Sequence, residues 1–257
     1  MGWRSYVAVG DSFTEGLDDP HPRGPGFRGW ADLVAAQLAA EAGPETFGYA
    51  NLAVRGRLFD AVVTEQVPAA LAMRPDLVSF AAGGNDVLRR QCDPHALVER
   101  FDKVIGDVRA TGADVVLFRF ADLWARLPGQ RLLAPRVAVL NRGVGEVAER
   151  HGAHLVDLSR DAEFDNPVLW SVDRLHLSTL GHRRVAAHVL RALALEPDPQ
   201  WLDAPARPAP ASWLAARGAD LRWVSTHLVP WIKRRLTGRS SGDNVRPKRP
   251  GLAPIAD

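Results

Sequence analysis

Four short segments carry residue types able to do acyl chemistry. Gly10-Asp11-Ser12-Phe13-Thr14-Glu15-Gly16 follows a short apolar run, so Ser12 falls where a strand gives way to a turn. A serine opening a helical turn there has backbone N–H groups and a helix dipole that favour developing negative charge. The same serine also reads as a plain N-cap. Asn51-Leu52-Ala53-Val54-Arg55-Gly56 and Gly83-Gly84-Asn85-Asp86 bring glycines that let backbone approach a ligand closely. Asn85 adds a side-chain amide able to donate to an oxyanion, although Gly-Asn-Asp is also a common turn sequence. In Asp173-Arg174-Leu175-His176 the Asp stands three residues before the His. It can orient the imidazole through one ring nitrogen and leave the other to take a proton from a serine. Taken singly, a lone Asp-x-x-His is an everyday coincidence.

These segments need rigid elements to bring them together. The chain has 257 residues, 46% hydrophobic and 24% charged, enough to bury a large core without metals or disulfides. Disorder of the whole chain and a small disulfide scaffold are both excluded. Cys92 is the single cysteine, which rules out an intrachain bridge and a Cys-based zinc site and fits a reducing compartment. Apolar runs at Ser5–Val9, Phe47–Val54, Leu77–Ala81, Asp114–Phe118 and His154–Leu158 alternate with helix-periodic stretches. The latter cover about 30–42, 58–73, 94–111, 134–151 and 179–193. This alternation predicts a three-layer α/β/α sandwich around a five-stranded parallel sheet, flavodoxin-like in kind, over residues 1–195. In open parallel sheets reactive groups gather beyond the carboxyl ends of strands. Each of the four segments lies at such an end or just before the last helix.

Occurring in this order, Gly-Asp-Ser, Gly56, Gly-x-Asn-Asp and Asp-x-x-His resemble the SGNH (GDSL) hydrolase family across residues 5 to 193. The resemblance implies Ser12 as nucleophile, His176 as general base and then acid, and Asp173 as its orienter. It implies an oxyanion hole made of the Ser12 and Gly56 backbone N–H groups and the Asn85 amide. Asp11 and Asp86 read as structural, bonding loop backbone. One departure is that the second block has Ala53 where the family often has glycine, and bulky Arg55 before Gly56. Arg55 is then expected at the pocket mouth, where it would favour a substrate with negative charge. The resemblance implies no cofactor and no metal. Ser12 does not sit in a G-x-S-x-G elbow, and the sequence has no G-x-x-x-x-G-K-[ST] phosphate loop. His151 and His154 straddle a helix end without suitable carboxylates, and His182 and His188 are expected to face solvent or cap neighbours.

The remaining segment, 196–257, changes character. Pro197, Pro199, Pro205, Pro208 and Pro210 suit an extended linker. Ser212 to Leu236 repeats apolar residues at helical spacing, and Gly238 to Asp257 reads as basic and poorly ordered. The net charge of +2 is concentrated there, since seven basic residues between Lys233 and Arg249 face one acid, Asp243. Trp201, Trp213, Trp223 and Trp231 sit in the same region, so peripheral contact with anionic membrane is one reading. Packing of this stripe on the catalytic domain is preferred, because Trp213, Leu221 and Leu228 otherwise expose a costly patch. The run Leu236 to Asp243 also resembles the C-terminal extension of some actinobacterial family members. No specific nucleic-acid binding is expected. The short apolar start and the lack of a long apolar stretch predict a soluble, cytoplasmic chain.

The sequence therefore predicts a serine ester hydrolase acting on small-molecule or lipid esters, lysophospholipid among them. A carbohydrate deacetylase, a thioesterase and an acyltransferase use the same serine chemistry. The alternative from another class is a catalytically idle fold that docks on a membrane or partner.

Overall fold

The computed structural model describes residues 2–122, 130–209, 217–218, 220, 222–230 and 240–255. The chain opens with strand β1 (Ser5–Gly10), followed by the four-residue helix α1 (Ser12–Glu15) and helix α2 (Trp30–Ala42). Strand β2 (Gly48–Asn51) leads into a helical stretch made of α3 (Phe59–Ala61), a π-helical turn (Val62–Gln66) and α4 (Val67–Ala72). Then come β3 (Leu77–Ala81), α5 (Gly84–Val87), α6 (Pro94–Arg109), β4 (Asp114–Arg119), α7 (Gln130–His151) and β5 (His154–Asp157). Three 3₁₀ turns precede α8 (Thr179–Ala192), and the tail returns as β6 (Arg249–Ala253).

The apolar runs became strands because the sheet is covered on both faces. All five residues of β3 are buried, and so are the last five of β1. One core, with Trp30, Val34, Phe118 and Val185, lies under α2 and α8. The other, with Phe59, Phe80, Phe101 and Leu140, lies under α6 and α7. Local signals start the helices. Asp93 caps α6 by accepting from His95 N and Ala96 N, with Pro94 at the first position, and Ser178 caps α8 through Gly181 N.

The sheet order is β5-β4-β3-β1-β2-β6. The first five strands are parallel, as the alternation predicts, but the sixth corrects the expected strand count. β6 runs antiparallel to β2, with Tyr49 opposite Ala253 and Asn51 opposite Arg249. It covers the row of backbone groups that β2 would otherwise leave unpaired at the sheet edge. Its sequence, Arg-Pro-Gly-Leu-Ala, has no alternating pattern, and a proline is tolerated only because the strand is an edge.

The tail between 240 and 255 is thus ordered against the domain, not the loose segment expected from its composition. Two of its basic residues are engaged there. Lys248 pairs with Asp32, and the Arg249 guanidinium lies 5.4 Å from the Tyr49 ring centre. The helix expected over 212–236 falls partly outside the described residues, as do Trp213, Leu221 and Trp231. Of its described part, Trp223 is buried. Among the described residues no helix is long and apolar enough to cross a membrane.

Candidate active site

β1 delivers the Ser12 segment to the carboxyl edge of the sheet. Gly10 ends the strand at φ +152, and a Cβ there would lie 2.5 Å from Ala81 O, so only glycine lets β1 and β3 close at this point. Buried Gln66, from the π-helical turn, pins the same residue. Its Oε1 accepts from Gly10 N at 2.8 Å and its Nε2 donates to Gly10 O at 2.9 Å. Asp11 then caps α1, accepting from Phe13 N at 3.0 Å. Ser12 is therefore the first residue of a short helix whose position is set from below by the core.

His176 arrives on the turn between Trp170 and α8. Asp173 Oδ1 accepts from the backbone N–H groups of Leu175 and His176, both at 2.9 Å, which folds the turn around its own carboxylate. Asp173 Oδ2 accepts from His176 Nδ1 at 2.5 Å, and His176 Nε2 lies 3.0 Å from Ser12 Oγ. Burial raises the Asp173 pKa, but bonds from His176 and its own turn outweigh this and hold it at about 2. Burial alone would lower the His176 pKa. The Asp173 bond and the charges of Asp173, Asp18 and Asp11 overcome it and raise the pKa above the ordinary value. Asp18, which the sequence reading missed, is the second carboxylate here. It sits 4.0 Å from His176 Nδ1 and accepts from Ser171 Oγ at 2.6 Å. No motif marks it; it belongs to the loop after α1.

Asn85 lies on α5, entered through Gly83 at φ +96. Its Nδ2 donates to Asp11 Oδ2 at 2.9 Å and to Arg57 O at 3.1 Å. Asp86 accepts from Phe59 N at 2.9 Å. Both Asp11 and Asp86 thus bond backbone, and Asp11 also aims the Asn85 amide. Burial pushes the Asp11 carboxyl up to about 6. Gly56 occupies a left-handed turn at φ +72 immediately before Arg57, whose carbonyl accepts from Asn85. Among the described residues, the N–H groups of Ser12 and Gly56 donate to no protein acceptor.

Arg55 does not project into the pocket mouth. Its backbone N–H donates to Glu15 Oε2 at 2.7 Å, its guanidinium pairs with the same carboxylate, and it lies 5.0 Å from the Phe27 ring centre. Buried Glu15 needs that partner, so the arginine is spent on holding the Gly56 loop against α1. His182 is buried as well. It accepts from Trp30 N, donates to Leu17 O, and burial lowers its pKa to about 4. His188 and His151 instead pair with Asp161 and Asp102. Among the described residues the group close enough to hold an ion is Asp18, Asp173 and His176. Ligation there would take the His176 Nδ1 that Asp173 already occupies.

Beside Ser12, His176 and Asn85 opens a cavity of about 80 Å³ whose walls are mostly apolar, including Phe13, Leu17, Phe120, Phe164, Trp170 and Val185. A hydroxyl, an imidazole and a carboxylate in line, with two uncommitted backbone donors nearby and an apolar cavity alongside, can perform acyl transfer.

Known proteins agree with that class. The profile of the GDSL-like lipase/acylhydrolase family matches residues 8–184. The chain belongs to this family and is a carboxylic ester hydrolase. No curated protein matches it significantly by sequence. Among solved structures it is similar to TesA, at 25% identity over 74% of this chain and 97% of that one, with a TM-score of 0.57. LAE5, an alpha/beta hydrolase enzyme from the metagenome of Lake Arreo, shares 23% identity over 76% of this chain and 96% of its own, with a TM-score of 0.61. Axe2, an acetylxylan esterase from Geobacillus stearothermophilus, shares 20% over 79% and 97%, with a TM-score of 0.59.

Proposed function

We propose that the protein hydrolyses esters of apolar acyl groups through an acyl-enzyme on Ser12. The observation that carries this reading is the line Ser12 Oγ, His176 Nε2, His176 Nδ1, Asp173 Oδ2, with gaps of 3.0 and 2.5 Å, opening beside an apolar cavity. Asp173 keeps the proton on His176 Nδ1, so Nε2 presents a lone pair to the Ser12 hydroxyl. His176 takes that proton as Ser12 Oγ bonds to the ester carbonyl carbon. The oxyanion receives the Ser12 and Gly56 N–H groups, and it competes with Asp11 for one hydrogen of Asn85. Collapse breaks the bond to the leaving alcohol, which takes the proton from His176. Water, deprotonated by His176, then releases the acid and restores Ser12.

The apolar walls favour a hydrocarbon acyl chain over acetate, because burying each methylene contributes roughly 0.8 kcal/mol. Lipid or lysophospholipid esters are therefore the proposed substrates. Contact with anionic membrane, within this proposal, would rest on Lys233, Arg234 and Arg235, outside the described residues.

The test is hydrolysis of p-nitrophenyl esters from acetyl to palmitoyl by the wild type and Ser12→Ala, with fluorophosphonate labelling alongside. Expected are labelling confined to the wild type and a preference for chains longer than acetyl. Activity that survives Ser12→Ala overturns the mechanism. A strict acetyl preference overturns the substrate class and favours a deacetylase.

A further inference from the structure

The family match ends at residue 184. LAE5, TesA and Axe2 are covered over 96 to 97% of their lengths by only 74 to 79% of this chain. What the extension beyond α8 touches is therefore this chain's own. Its described residues touch both catalytic loops.

The first contact is on the base turn. Trp223 is buried, and its Nε1 donates to Asp173 O at 2.8 Å. The Arg174 guanidinium lies 5.1 Å from the Trp223 ring centre and pairs with Asp220 at 2.8 Å. Arg174 adopts φ +62, a left-handed conformation that is unfavourable for a non-glycine residue. Its backbone is held by the turn's own bonds, Arg174 N to Ser171 O among them, and its side chain by Trp223 and Asp220.

The second contact is on the oxyanion loop. Ser240 Oγ donates to Gly56 O at 3.3 Å, while Ser240 N is tied to Asp243 Oδ2 at 2.9 Å. Gly242 is pressed so tightly that a Cβ would stand 2.0 Å from Arg55 O. Farther along, Lys248 Nζ donates to Glu15 O at 2.6 Å, to Phe27 O at 3.2 Å, and to Arg28 O and the Asp32 carboxylate. Glu15 closes α1 and carries the Arg55 N–H, so one ammonium ties the nucleophile helix, the 27–28 backbone and the Gly56 loop together. β6 holds that lysine in place by pairing with β2.

We propose that the extension braces the active site, with Trp223 a positioning residue for the Asp173–His176 turn and Lys248 one for α1 and the Gly56 loop. This rests on Ser12, His176 and Gly56 acting as described above. Moving a donor or nucleophile by about 1 Å costs on the order of 10² in rate, so the brace acts on turnover more than on substrate affinity.

The experiment compares kcat, KM, pH profile and thermal midpoint on a p-nitrophenyl ester for five full-length variants: Lys248→Met, Trp223→Phe, Ser240→Ala, Ser12→Ala and Lys103→Met. Lys103 is exposed on α6 and pairs with Asp107, and its variant should match the wild type. Lys248→Met should lower kcat by roughly 10- to 100-fold with KM within about 3-fold, measured well below its midpoint. Trp223→Phe should lower kcat by about 5-fold, the worth of one hydrogen bond, and move the acid limb of the profile. Ser240→Ala, which touches no buried charge, should fold normally and lose about 3-fold in kcat. If Lys248→Met fails to fold, Ser240→Ala and Trp223→Phe decide alone. Lower midpoints with unchanged kcat and unchanged pH profile overturn the brace. Activity retained by Ser12→Ala overturns the catalytic reading, and the brace with it.

Discussion

The two halves of the active site are held in opposite ways. On the nucleophile side, Gly10, Gln66, Asp11 and Glu15 are all buried, and each is hydrogen-bonded to another part of the domain or its own turn. On the base side, the 171–176 turn lies near the surface, with Val172 83% exposed and Arg174 in a left-handed conformation. Its restraints come from Asp18, Asp173 itself and Trp223. The contrast teaches that the serine is placed by the same interactions that make the protein fold. The histidine is placed by hydrogen bonds the fold does not need. Changes in the core beneath the serine, as at Gln66, should therefore appear as lost stability, and changes around the histidine or in the Lys248 brace as altered rate or pH dependence.

The largest effect is expected where the halves meet. Ser12→Ala should lower kcat/KM by about 10⁴-fold or more while leaving the melting temperature unchanged, as read by ester kinetics and thermal denaturation. Beneath the serine, Gln66→Leu strands the Gly10 N–H, while Gly10 O keeps only the longer bond from Val54 N. A buried orphan costs about 1–3 kcal/mol, and urea denaturation should show a loss of that size. A stable Gln66→Leu protein with merely reduced turnover would break the comparison.

His182 tests the core from another direction. Its folded pKa of about 4 lies below the ordinary 6.5, so the unfolded chain binds the proton first. Stability is full above pH 6.5 and falls as pH drops toward 4, by about 3 kcal/mol in all, at about 1.4 kcal/mol per pH unit. Denaturation midpoints across pH 4 to 7 should trace that loss, and His182→Gln should flatten it.

The smallest effect belongs to the base side. In the proposed mechanism His176 must be neutral, and its pKa is raised above the ordinary 6.5, so activity should fall away on the acid side at a higher pH than a free imidazole would set. Asp18→Asn removes one of the charges that raise it while keeping an oxygen for Ser171. The acid limb should move to lower pH, with the melting temperature unchanged. A melting loss as large as that of Gln66→Leu would show that the turn is part of the folding core after all.

Much of this arrangement is legible along the chain. Tyr6-Val7-Ala8-Val9 and Val115-Val116-Leu117-Phe118 are buried on both faces, and a continuous apolar run announces that directly. The Asp173 and His176 spacing is local too, because the carboxylate bonds a backbone N–H and a ring three residues ahead of it. Arg55 shows the limit. Its place before Gly56 suggested a cation at the pocket mouth, yet Glu15, 40 positions away, claims it. Local sequence cannot rank distant carboxylates as partners. The tail misled for a related reason: Pro, Gly and basic residues mark disorder only while no edge strand or carbonyl cluster is waiting for them.

The layered α/β fold, the segments that reach the carboxyl edge of the sheet, and the choice of Ser12, Asp173 and His176 as candidates for the proposed chemistry were all legible along the chain. Those features rest on periodicity and on contacts within a few residues. Only the tertiary structure decided the sixth strand, the Asp18 carboxylate beside the base, the Glu15–Arg55 pair and the ammonium of Lys248 on Glu15 O, 233 positions away. Each depends on the order in which strands align, and a buried charge takes whichever opposite group the packed layers bring within reach.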